Sequence, residues 1–150
     1  MKIFIDSSLL VEYIKGAKTD LLEKLILSDY QCYTNAIVYS EFMFYYLAII
    51  GGKSPLSIKE NKMIGKTIKR HNPIELFSNF EILPIENEIV KLSYNLMLKY
   101  NLLPNDALIL ATTKINKIDK LASYDQNDFG IPCELEAVSL IKTTSDLMTK

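Results

Sequence analysis

The sequence predicts a single α/β domain on a mostly parallel central sheet, and three observations carry that expectation. Short apolar runs alternate with stretches of helical period, the pattern of βαβ units. The first run, Ile3-Phe4-Ile5, is continuously apolar, as suits a strand covered on both faces. The 150 residues, 49% hydrophobic and 23% charged, suffice for one core, with no repeat, low-complexity tract or linker to divide residues 1–150.

Each element follows from local chemistry. After Ile3–Ile5, Ser7 or Ser8 can cap a helix over Leu9–Lys15, which Gly16 ends. A second amphipathic helix spans Asp20–Leu27. Gln31–Thr34 reads as a strand, and Thr34 or Asn35 caps an apolar helix ending at Gly51-Gly52. Residues 53–80 form a lysine-rich helical segment, its basic part running from Lys53 to His71 and broken by Asn72-Pro73. Ile82–Ile85 is a strand that Pro84 assigns to an edge. Asn87 caps a helix to Tyr100, Pro104-Asn105-Asp106 opens another over Ala107–Ile115, and Leu121–Tyr124 and Leu135–Val138 complete the strands.

Composition narrows the function. A net charge of −1 announces no nucleic-acid or membrane partner, so any such reading rests on local patches. Two cysteines, Cys32 and Cys133, form no CxxC pair, which argues against a disulfide framework or thiolate zinc and fits a cytoplasmic location. The start MKIFID has no apolar run behind a basic region, so no signal peptide is expected. Phe42 to Ile50 is uninterrupted apolar but falls short of the roughly 20 residues a spanning helix needs.

The acids carry the chemistry. Asp6 directly follows the first strand, and carboxyl ends of parallel strands are where such sheets bind ligands; it also suits a helix cap. Glu41 is embedded in the apolar helix, with Lys24 and Lys53 its nearest basic neighbours in sequence, so either it lies on an exposed stripe or it needs a distant cation or a metal. Asp106 stands in a first helical turn and Asp125 after a strand, with Asp128 three residues on; alone, these are also ordinary cap and loop positions. Together they form an all-oxygen set without histidine or cysteine, which selects a hard cation, Mg²⁺ or Mn²⁺, and the chemistry of phosphoryl transfer.

Three segments, KIFIDSSLLVEYIKG, TNAIVYSEFMF and PNDALILATTKINKIDKLASYDQNDF, resemble in order the PIN domain, most closely the short VapC-type ribonuclease toxins. The resemblance implies a three-layer α/β/α fold and a metal-dependent endoribonuclease acting on structured RNA, leaving a 5′-phosphate and a 3′-hydroxyl. It also implies a homodimer and a cognate antitoxin protein. Asp6, Glu41, Asp106 and Asp125 match the family's four acidic positions and Asp128 a variable fifth. Ser7 and Ser123 fall where the family often places hydroxyls beside the acids. The segment between Glu41 and Asp106 is longer than in the shortest members.

Other motifs are weaker. Gly51-Gly52-Lys53-Ser54 resembles the end of a phosphate-binding loop, but Leu47 stands where that motif needs glycine. His71 is the only histidine and reads as a surface residue; Tyr39, Tyr45 and Tyr46 read as core. A small-molecule phosphohydrolase of the haloacid dehalogenase type would need an acid at Ser8, and a receiver domain an aspartate near Pro84-Ile85-Glu86. A catalytically weak RNA- or partner-binding module of the same fold is the rival outside the enzymes. Lys59, Lys62, Lys66, Lys69 and Arg70 would share one face of a continuous helix, either as a solvated surface or as an RNA-contacting ridge.

Overall fold

The computed structural model describes residues 1–148. Among these, strands β1 (Lys2–Ile5), β2 (Gln31–Asn35), β3 (Glu81–Leu83), β4 (Lys120–Ala122) and β5 (Ser139–Ile141) form one sheet in the order β3-β2-β1-β4-β5, every neighbouring pair parallel. Register pairs Phe4 with both Tyr33 and Leu121 across the centre. Ile3, Phe4 and Ile5 are all 0% exposed although successive side chains leave a strand on opposite faces, so helices cover both sides and the arrangement is three-layered. The chain builds from β1 outward to β3, then returns to β4 on the other side of β1. The switch point therefore lies between β1 and β4, and Asp6 and Asp125 follow their carboxyl ends.

The helices are α1 (Ser7–Lys15), α2 (Asp20–Ile26), α3 (Ala36–Gly51), α4 (Pro55–Glu60), α5 (Ile64–Ile68), α6 (Ile74–Phe77), α7 (Asn87–Tyr100), α8 (Pro104–Ile115) and α9 (Gln126–Leu135), followed by a 3₁₀ turn over Thr144–Met148. Gly16 and Gly52 end α1 and α3 in the left-handed region, both at φ 68°, where glycine carries no steric cost. Asn35 caps α3 through Oδ1, which accepts from the Ile37 and Val38 amides. Its Nδ2 donates to Thr112 Oγ1 at 2.9 Å in the core, so one side chain fixes the start of α3 against α8. Glu41 and Asp106 ride on these two helices. Strand β3 lies at an edge, as Pro84 implied.

Several expectations need correcting. The cap of α1 is Asp6, not Ser7 or Ser8: its carboxylate accepts from the Ser8 amide. The basic segment is not one helix. Lys62 at φ 58° breaks it between α4 and α5, because the Lys62 amide turns back to Lys59 O and the Met63 amide to Ile58 O. The face shared by Lys59, Lys62, Lys66, Lys69 and Arg70 therefore does not form, and Arg70 donates to Ile50 O at 2.7 Å, closing the end of α3. Residues 135–138 are the end of α9 and a turn rather than a strand, with β5 shifted to Ser139–Ile141. Helix α9 itself was hidden by Gly130 and Pro132, both inside it. Of the three tyrosines read as core, Tyr46 is buried, its hydroxyl donating to Thr67 O and Ile68 O at 3.4 Å, whereas Tyr39 and Tyr45 are exposed.

Candidate active site

One cavity of about 630 Å³ opens at the carboxyl ends of β1 and β4, and Asp6, Glu41, Asp106 and Asp125 all line it. Four elements deliver them: the cap of α1, the second turn of α3, the first turn of α8 and the cap of α9. None of the four is ion-paired among the described residues.

Asp6 is the deepest, 4% exposed. Its Oδ2 accepts from the Ser8 hydroxyl and the Ser123 hydroxyl, both at 2.7 Å, and from the Ser8 amide at 3.3 Å. Oδ1 takes no hydrogen bond among the described residues. One oxygen thus carries all three of these bonds. Ser8 Oγ in turn accepts from the Tyr124 amide at 3.0 Å and Ser123 Oγ from the Asp125 amide at 3.0 Å, locking the loop after β4 onto the start of α1.

Glu41 is held by neutral donors, Ser7 Oγ to Oε1 and Asn105 Nδ2 to Oε2, each at 3.2 Å. Burial raises its pKa from the ordinary value; the charge of Asp6 pushes the same way, while the Asn105 and Ser7 hydrogen bonds pull against it. Asp106 is raised to about 7, first by burial, then by the charges of Asp128, Asp6, Glu41 and Asp125. Its place in the first turn of α8 favours the anion, but burial among four other acids outweighs that dipole. Asp125 Oδ1 accepts from the Asp128 amide at 3.0 Å.

Asp128 does not line this cavity. It faces the adjoining hollow with Lys99, Tyr100 and Pro132, where burial and Asp125 raise its pKa. Among the described residues no three carboxylates, histidines or cysteines form a ready-made metal cage. The four acids share a cavity rather than a point. The donor set is nonetheless all oxygen, unpaired and mutually repelling, which fits a hard divalent cation bound directly or through water.

The resemblance implied hydroxyls beside the first and last acids; the side chains instead reach across, Ser7 donating to Glu41 and Ser123 to Asp6. Sequence reasoning missed Ser8 and Asn105 as carboxylate donors, although each adjoins a chosen residue or pair. It also missed the basic residues at the mouth: Lys15 and Lys18 line the cavity, whereas Lys59, Lys62, Lys66, Lys69 and Arg70 do not. Lys15 pairs with Glu12 at 3.1 Å, and Lys18 Nζ stands 5.0 Å from the centre of the Tyr124 ring.

Comparison with known proteins gives a consistent result. The PIN domain family matches residues 3–130. Over 141 residues the chain is 40% identical to Ribonuclease VapC2 of Methanocaldococcus jannaschii, covering 93% of this chain and 94% of that protein. It is 36% identical to Ribonuclease VapC6 of the same organism, over 93% of this chain and 96% of the relative. Among solved structures, DNA-bound VapBC from Salmonella typhimurium aligns with a TM-score of 0.67 at 13% identity, covering 93% of this chain and 96% of that one. A toxin–antitoxin complex from Klebsiella pneumoniae aligns with a TM-score of 0.61 at 21% identity, with the same coverage.

Proposed function

We propose that this chain, which belongs to the PIN-domain family, is a metal-dependent endoribonuclease and the toxin of a toxin–antitoxin pair. The observation that carries the reading is the convergence of Asp6, Glu41, Asp106 and Asp125, from four elements, on one cavity at the switch point with no cation paired to any of them among the described residues. The two ribonuclease-named relatives span nearly the whole chain and supply the substrate class.

In this reading the four acids hold one or two Mg²⁺ or Mn²⁺ ions, with Asp128 as an outlying acid that tunes Asp106. A bound divalent ion would acidify a water and neutralise charge developing on the phosphate. The chain's own contribution is positional. Ser8 and Ser123 fix Asp6 through Oδ2, and Ser7 and Asn105 fix Glu41 through both oxygens. Asp106, its pKa raised to about 7 by burial and the surrounding acids, would have to give up a proton to hold a cation, which would link cation binding to pH.

The ribonuclease-named relatives support an RNA substrate and the toxin–antitoxin neighbour a cognate antitoxin protein. A second copy of this chain is what the family resemblance implies, and a cytoplasmic location is the expectation from the unpaired cysteines. No helix among the described residues is long and apolar enough to cross a membrane. The test is cleavage of RNA by the purified chain. Activity with Mg²⁺ or Mn²⁺, its loss with EDTA and no need for zinc support the reading; RNA left intact under every divalent ion overturns it.

A further inference from the structure

The acidic cavity does not end at Tyr124. A second cavity of about 360 Å³ adjoins it there, and Lys18 and Tyr124 line both. Its remaining walls are Asp20, Lys142 and Thr143. The two hollows differ in charge. The first gathers four unpaired carboxylates, while Lys18 and Lys142 line the second with Asp20, and Asp146 lies within reach of the Lys142 charge. Both lysines are exposed, so their ammonium groups remain hydrated and available. They are also placed rather than loose. Lys18 Nζ rests over the Tyr124 ring at 5.0 Å, and Lys142 Nζ donates to Gln126 Oε1 at the start of α9, next to Asp125. The Tyr124 ring is itself tethered, its amide on Ser8 Oγ at 3.0 Å and its hydroxyl reaching Lys18 O at 3.5 Å. A basic step is therefore built onto the same loop that carries Asp125.

We infer that Lys18 and Lys142 form a phosphate subsite for the RNA strand leaving the acidic cavity across Tyr124. This rests on the ribonuclease reading and adds to it the path of the strand. A polyanion presented to four carboxylates needs positive charge beside the reaction point. Lys18 lines the acidic cavity itself and Lys142 donates to Gln126, the neighbour of Asp125, whereas the lysines of α4 and α5 line neither cavity. Contacts of this kind position the backbone and carry no sequence information.

The test is cleavage of a fluorescent single-stranded RNA with Mn²⁺ across a salt series, for the parent, K18A/K142A, K18R/K142R and K59A/K66A. The subsite predicts that K18A/K142A raises KM roughly tenfold at low salt, the worth of one charge-assisted contact. Its kcat stays at the parental value, and the dependence of log KM on log salt flattens by about 0.7, one single-strand phosphate. The arginine pair keeps the parental KM and slope, as does K59A/K66A, and the Mn²⁺-induced rise in melting temperature is the same in all four. A parental KM and salt slope in K18A/K142A, or an equal loss in K59A/K66A, overturns the subsite while leaving the ribonuclease reading intact. If the parent cleaves no RNA with Mg²⁺ or Mn²⁺, the ribonuclease reading fails first and the subsite with it.

Discussion

Ser123 Oγ donates to Asp6 Oδ2 at 2.7 Å, joining the ends of β4 and β1 across the switch point of the sheet. The same hydroxyl accepts from the Asp125 amide at 3.0 Å, so one buried side chain sets the position of two of the four acids. Ser123 is 0% exposed, and water cannot replace either bond without rearrangement.

Ser123→Ala should therefore destabilise the protein by about 2 kcal/mol, the range for losing a buried hydrogen bond to a charged group. Denaturant unfolding measures it. Activity should fall further than stability explains at saturating cation, because Asp6 and Asp125 lose their common brace. A midpoint equal to the parent's would show that the brace is not needed.

Asp106 sets a pH dependence whose sign is fixed. Its folded pKa of about 7 lies above the ordinary 3.8, so the fold favours the neutral acid. That contribution is fully present below the ordinary value and is lost as pH rises through about 7. Glu136, lowered to about 2 by hydrogen bonds from Lys114, Lys99 and Tyr100 that outweigh its burial, acts oppositely, and only at lower pH. In EDTA, the melting temperature should fall between about pH 4.5 and 7.5, and Asp106→Asn should flatten that decline. A parallel curve for the variant would remove Asp106 as its source.

The parts legible in the sequence were those with a local cause. Ile3–Ile5 announced a strand covered on both faces, Thr34 or Asn35 a cap, Gly16 and Gly52 two helix ends, and Pro84 an edge. Asp6, Glu41, Asp106 and Asp125 stood out because each acid borders or interrupts an apolar element. What stayed hidden depends on pairs distant in sequence. Asn105 on Glu41, Ser8 against Ser123 and Lys18 beside Lys142 meet only once β4 returns beside β1. The lysine face failed for a different reason: a helical wheel assumes continuous backbone, and Lys62 at φ 58° interrupts it. Helix α9 was missed because Asp-Gln-Asn-Asp reads as an ordinary surface loop as well as a helix start.

Asp6 caps α1, and substitution can separate that duty from the proposed role in the chemistry. Asn caps helices as well as Asp, so Asp6→Asn keeps the cap of α1 and an acceptor for Ser123 while removing the charge. Cleavage should drop by orders of magnitude, with melting in EDTA equal to or above the parent's because carboxylate repulsion is relieved. Asp6→Ala loses the cap too and should cost about 1 kcal/mol or more in stability. Full activity in Asp6→Asn would exclude Asp6 from the chemistry.

Cation-linked stability gives a test of Glu41 that needs no substrate. A ligand that binds only the folded state at about a hundred times its Kd adds about 2.7 kcal/mol. For a chain of this size that is a rise of roughly 5–10 °C in melting temperature with Mn²⁺. Glu41→Gln keeps the local geometry, since its Oε1 can accept from Asn105 and its amide can donate to Ser7 Oγ. It removes a partly buried anion whose pKa burial has already raised, so the cation-free variant should melt at or above the parent's temperature. The Mn²⁺-induced rise should shrink sharply, because one of the four oxygen donors has lost its charge. A rise equal to the parent's would place Glu41 outside the cation set and leave Asp6, Asp106 and Asp125 to bind it alone.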